Sequence, residues 1–232
     1  MQRTISMASM LVGLVLSACK DSSHNGNSTP TATPTQNATP GPVLAQCCGA
    51  KPQFSDPAYI SVFTGQVAVT TSDPGNGNGF VLEVIDLKNQ SSFQPNLGPP
   101  TVNPAIYYGP PGNQWTQARL GKVFGLTLDN QGNIYVTSTI AYNGDFFPVG
   151  ATGGEVYKID GVTGLRSAFA TLPNPHHGGL GNITYDCIHA KFYVSDPDNG
   201  LIYRLDGASG AVLSSWDHGG QSTVNISDTH GA

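Results

Sequence analysis

An all-β chain assembled from a repeated four-stranded unit is what this sequence predicts, and three observations predict it. Residues 123–217 carry nearly the same text twice. VFGLTLDNQGNIYVTST, a loop and GEVYKIDGVTGLRSAFATL are followed by LGNITYDCIHAKFYVSD, a short loop and GLIYRLDGASGAVLSSWD. Charged residues make up only 11% of the chain, against about a quarter in an ordinary soluble domain, while 29 glycines and 17 prolines supply turns. Short runs rich in Val, Ile, Tyr and Thr, separated by those turn formers, are the pattern of many short strands.

The N-terminus reads as a targeting segment. Arg3 supplies a positive start, residues 5–16 form a short apolar run, and small residues follow. That is the layout of a secretory signal. Its end, Leu16-Ser17-Ala18-Cys19, resembles the bacterial lipobox. The resemblance implies cleavage before Cys19 and lipidation of that cysteine, so residues 1–19 are read as a lipoprotein signal peptide. The expected address is the bacterial cell envelope, with the membrane as a partner through the lipid at Cys19. Lys20, rather than Asp, follows the cysteine, which favours the outer membrane, periplasmic or surface-facing, over retention at the inner one. Residues 20–46 are rich in Ser, Thr and Pro and have almost no apolar side chains to offset ordering entropy, so they read as a disordered tether. No later segment is apolar over the roughly 18 residues that a membrane helix needs. A net charge of −5 leaves no basic stripe to neutralise phosphates, so nucleic acid is not an expected partner.

Beyond Cys19 the cysteines are Cys47, Cys48 and Cys187. An exported protein keeps disulfides, and an odd number leaves one thiol over. A bridge from Cys47 or Cys48 to Cys187 would pin the segment before the repeats to a tight strand–strand turn.

Each copy of the repeat holds four strand-like runs: 123–129, 133–139, 155–160 and 165–172, then 181–186, 191–196, 201–206 and 211–217. Tyr135 aligns with Tyr193 and Tyr157 with Tyr203, the offset narrowing because the first copy has a longer internal loop. A weaker upstream copy has runs at 59–64, 67–72, 80–87 and 91–95. Four-stranded repeats of roughly 45–65 residues are how propeller blades look in sequence, and each needs neighbours to cover its faces. The expectation is a partial β-propeller of about three four-stranded blades, near 55–97, 122–173 and 179–218, within a globular part at 47–232. A β-sandwich is the alternative. Three blades do not close a ring, which typically takes about four to eight, so the expectation includes a C-terminus that is incomplete or a ring closed by assembly.

GLTLDNQGNIYVTS and YVSDPDNGLIYRLD resemble NHL-type and SMP-like (regucalcin- and gluconolactonase-like) propeller repeats, over about residues 55–217. The resemblance implies the architecture. It also implies an alternative activity, a metal-dependent hydrolase or lactonase of the six-bladed type with remaining ligands in missing blades. Such propellers hold a central metal with acidic and amide side chains. The channel-side Glu of that pattern is missing, because Glu83 and Glu155 fall in third strands.

Turns after the first and third strand of each copy are minimal, whereas insertions at 96–122, 140–154 and 173–180 fall at the opposite ends of the strands. Binding tends to sit in loops on a rigid scaffold, so that face is the expected functional one. Its aromatic residues Tyr107, Tyr108, Trp115, Tyr142, Phe146 and Phe147 are candidates for contact with a glycan or protein partner. His176, His177 and His218 lie in the same set of links. In Asp196-Pro197-Asp198-Asn199-Gly200, Asp196 and Asp198 offer oxygen donors for Ca²⁺, but the further acids of a full calcium loop are missing and the stretch reads as a turn. No cofactor is predicted, and Ca²⁺ at Asp196 and Asp198 is the weak candidate. The aspartates that end strands (Asp86, Asp129, Asp160, Asp186 and Asp206) are expected to cap turns. No nucleophile elbow or phosphate loop is present, and no catalytic residue is assigned. The expected function is a membrane-anchored extracytoplasmic binding module.

Overall fold

The computed structural model describes residues 15–16, 50–74, 78–88, 104–139, 148–173 and 178–217. Three antiparallel four-stranded sheets follow one another, each a meander in chain order. The first contains β1 (Val15–Leu16), β2 (Val67–Thr71), β3 (Leu82–Asp86) and β4 (Ile106–Tyr107). The second contains β5 (Val123–Leu128), β6 (Ile134–Ser138), β7 (Glu155–Ile159) and β8 (Arg166–Thr171). The third contains β9 (Ile183–Asp186), β10 (Lys191–Asp196), β11 (Leu201–Asp206) and β12 (Val212–Asp217). Two one-turn helices, α1 (Pro57–Ile60) and α2 (Gln117–Leu120), flank the first sheet's strands. The described residues form an all-β partial propeller of three blades, without a closed sheet among them. Among the described residues no helix is long and apolar enough to cross a membrane.

The stacking follows from the side-chain alternation of a strand. In β6, Ile134 and Val136 point one way, into a core with Leu126, Tyr157 and Ile159 and the first blade's Val67, Val69, Leu82 and Val84. Tyr135 between them points the other way and joins Val156 in a second core with the third blade's Phe192, Val194, Tyr203 and Leu205. All five residues of β6 are therefore buried. A strand covered on both faces reads as a continuous run of β-formers rather than a polar–apolar alternation. Each large apolar side chain so buried contributes about 1.5–3 kcal/mol. Among the described residues the third blade is covered on one side: β10 alternates buried and half-buried residues, and β12 is exposed throughout.

The turns are built as expected. Asp129 Oδ1 accepts the backbone N–H groups of Gln131 and Asn133 at 2.8 and 2.9 Å. Asp160 takes those of Val162 and Thr163, Asp186 those of Ile188 and His189, Asp206 those of Ala208 and Ser209, and Asp86 that of Lys88. Short acidic side chains thus satisfy the N–H groups that a tight turn leaves over.

The first blade departs from the sequence expectation. Residues 57–60 form α1, not the start of a strand over 59–64. Asp56 Oδ1 caps the helix by accepting from Ala58 N at 2.9 Å, and Pro57 occupies the first turn, where its missing N–H costs nothing. The inner edge of β2 is paired instead by Val15 and Leu16, opposite Val69 and Ala68. The fourth strand is β4, opposite Val84 and Ile85, within the stretch read as an insertion, so this blade extends beyond residue 97. The expected strand at 91–95 lies outside the described residues. Upstream of α1 the chain crosses the turns of the second blade: Ala50 N donates to Asp129 O, Gln53 N to Gly161 O and Ser55 N to Val162 O.

Candidate functional site

Two of the aromatic residues expected on a binding face are core residues. Trp115 is 0% exposed, its indole N–H donates to Gly164 O at 2.9 Å, and its ring lies 5.4 Å from both Phe54 and Tyr107. Tyr107 is buried too, with its hydroxyl donating to Asp56 Oδ2 at 2.9 Å. Each ring buries its apolar body and finds a partner inside for its one polar group, which removes the need for water. Tyr108 is 39% exposed and stacks on Phe80 at 5.0 Å. Tyr142, Phe146, Phe147, His176, His177 and His218 lie outside the described residues, as do Cys19, Cys47 and Cys48. Cys187, in the β9–β10 turn, is disulfide-bonded.

Asp196 and Asp198 are 1% and 3% exposed. Asp196 Oδ1 accepts the backbone N–H of Asp198 at 2.9 Å, the hydrogen bond of a turn. The link into the third blade runs against them, since a Cβ on Gly178 would lie 2.8 Å from Asp198 Oδ1. Among the described residues no group of three or more His, Cys, Asp or Glu side chains could hold a metal ion.

Concave surface occurs elsewhere. A cleft of about 430 Å³ opens between α2, the loop at 148–151 and strands β7 and β8. Its walls include residues 118–119 and 148–151, which belong to two of the inserted stretches and lie together over the second blade. Arg166 is held in it from two sides. Its Nη1 donates to the backbone oxygen of Arg119 at 2.9 Å, and its guanidinium lies 4.9 Å from the centre of the Tyr157 ring, a cation–π distance. Arg119 itself is exposed and lines the same cleft. Glu155 also lines it, but its two carboxylate oxygens accept from Thr152 N, Thr152 Oγ1 and Gly153 N at 2.7 to 2.9 Å, turned toward their own loop. The Tyr157 hydroxyl is pushed above its usual pKa, first by burial and then by Glu155, against the opposing pull of Arg166. It stays a neutral phenol at neutral pH.

Two of the chain's four arginines therefore meet in one half-open concavity, with no carboxylate ion pair to either among the described residues. Guanidinium groups so placed attract anions, because low-dielectric walls focus the field. The sequence marks the rings of the inserted stretches; Arg119 in one of them and Arg166 in β8 are brought to one cleft by the fold. The scarcity of arginine was the signal that could have marked them.

No family model matches the chain. No curated protein matches it. Among solved structures it is similar to a streptogramin B lyase, at 15% identity and a TM-score of 0.35. That similarity covers 67% of this chain and 38% of the other, so the chain spans under two-fifths of that structure's length.

Proposed function

We propose that this chain is a lipid-anchored, extracytoplasmic β-propeller module that binds its ligand in the cleft over the second blade. One observation carries the reading: residues 118–119 and 148–151, from two inserted stretches, line one concavity with Arg166, whose guanidinium is positioned by a hydrogen bond and a ring contact. Acidic side chains support binding over hydrolysis, since Asp86, Asp129, Asp160, Asp186, Asp206 and Glu155 spend carboxylate oxygens on turn and loop N–H groups. The lipobox at Cys19 supports an envelope address at the outer membrane, periplasmic or surface-facing; cleavage before Cys19 would remove β1 and leave that edge of β2 without its pairing. Kinship with NHL-type and SMP-like repeats belongs to the same proposal and rests on the motifs quoted above.

Metabolic labelling of cells expressing the full chain with a radioactive fatty acid reads the anchor directly: the wild type should incorporate label and Cys19→Ser should not, and a wild type without label would sink that part. Elemental analysis of the purified protein, with a lactone hydrolysis assay, tests the module against the alternative. Stoichiometric Ca²⁺ or Zn²⁺ accompanied by turnover would favour the metal-dependent hydrolase. Retention on envelope extracts that is lost in Arg119→Glu would favour the module.

A further inference from the structure

Resting on that reading of the cleft, we infer that its ligand presents a carboxylate flanked by short aliphatic groups, as at the C-terminus of a peptide ending in small apolar residues. The charge comes first. The chain is acidic overall, yet Arg119 and Arg166 line one concavity, and the carboxylate beside them, Glu155, is engaged by three donors of its own loop. Glu155 keeps its charge but faces its own loop, and two arginines against one carboxylate leave the described lining positive.

Geometry comes next. A guanidinium is a planar fork that pairs with a planar carboxylate through two parallel N–H bonds. Arg166 is already oriented: one Nη is tied to the Arg119 carbonyl and one face lies on Tyr157. The same bond ties it to the backbone of Arg119, whose own side chain is exposed and lines the same cleft. Little side-chain freedom is left for Arg166 to lose on binding, which is the advantage of preorganisation.

The rest of the lining sets the neighbouring groups. Ala118, Val149, Ala151 and Ala168 are short and apolar, and Val149 is wholly exposed at the rim. Tyr157 is the ring in this lining, but it is 4% exposed and the Arg166 guanidinium lies over it. A sugar ring therefore finds no open aromatic face in this lining, whereas methyl and methylene groups find apolar walls. The volume of about 430 Å³ suits a small ligand, within the roughly 300–1,000 Å³ of such sites.

The test is calorimetric titration of the detergent-solubilised full chain with N-acetyl-dialanine as the free acid and as its C-terminal amide. Inorganic phosphate and a uronic-acid disaccharide serve as further probes. The free acid should bind saturably, the amide at least about tenfold more weakly, and Arg119→Gln should weaken the acid by about tenfold. Arg119 is exposed, so that variant should keep the wild-type melting temperature; Arg166→Lys, which keeps the charge and loses the fork, should also weaken the acid. Equal binding of acid and amide, absence of binding by the acid, or an unchanged affinity in Arg119→Gln would each overturn the inference. Tighter binding of phosphate or the uronate would overturn it while leaving a cleft-centred binding module standing. Failure of every probe together with metal and lactone turnover would overturn both readings.

Discussion

Thr137 Oγ1 lies 2.6 Å from the carbonyl oxygen of Gly181, and this hydrogen bond joins the second blade to the third. The same hydroxyl oxygen accepts the backbone N–H of Gly125 at 3.0 Å. One small side chain thus links β5, β6 and the entry to β9. Both glycines are required by the closeness of the approach. A Cβ on Gly125 would lie 2.4 Å from Thr137 Oγ1 and 2.7 Å from Gly181 O, and one on Gly181 would lie 2.5 Å from Ser195 Oγ. Ser195 is the repeat's counterpart of Thr137, and its hydroxyl accepts from Asn182 N at 2.9 Å.

Thr137→Val keeps the shape and removes the hydroxyl, leaving a buried N–H and a buried C=O without this partner. The expected loss is about 1–3 kcal/mol of stability, with Thr137→Ser retaining most of the wild-type value. Urea unfolding measures it, and a valine variant as stable as wild type would show that the blades are held by packing alone.

Trp115→Ala should cost about 3–5 kcal/mol, because it opens a cavity at a fully buried site and strips Gly164 O of its donor. Tyr108→Ala, at a 39% exposed position, should cost much less than that. Thermal melts of both variants decide whether Trp115 serves the fold; a tryptophan variant that melts like wild type would return it to the list of ligand contacts.

Acid should loosen the third blade's turns. Asp206 is held well below the usual carboxylate range, first by the Lys191 ammonium at 3.0 Å and then by the Ser209 N–H and hydroxyl. Asp186 is lowered first by the His189 ring at 2.7 Å and then by backbone N–H groups. A depressed folded-state pKa means that the ionised form stabilises the fold. That contribution is full above the unfolded value near 4 and is lost as the pH falls through the lower folded value. Amide resonances of Ala208 and Ser209 followed downward from about pH 5 should shift only below the ordinary carboxylate range. Asp206→Asn should remove part of the acid dependence of the melting temperature, and an unchanged profile would rule out this cause.

Reducing the Cys187 disulfide should lower stability by about 2–5 kcal/mol. Ala50 is hydrogen-bonded to the β5–β6 turn, the equivalent in the second blade of the β9–β10 turn that carries Cys187. Peptide mapping under non-reducing conditions should recover Cys187 joined to Cys47 or Cys48. Recovery of a Cys19–Cys187 peptide would overturn the expected clamp and would conflict with lipidation at Cys19.

By itself the sequence determined the local features of this protein. The β-runs of the second and third blades were legible, and so was the register between Tyr135 and Tyr193. The Asp-capped turns could be read as well, because their partners lie two to four residues away. Even the helix that replaced an expected strand carried a local signature, Asp56-Pro57, that was open to reading. Tertiary structure alone decided which inserted residues face inward and which meet. Trp115 is buried by Gly164, 49 residues away, and Arg119 holds Arg166 across 47. Hydrogen bonding and side-chain alternation act between near neighbours and leave a pattern in the chain. Burial and the meeting of two arginines depend on how one blade stacks against the next, and no window of sequence contains both sides of that contact.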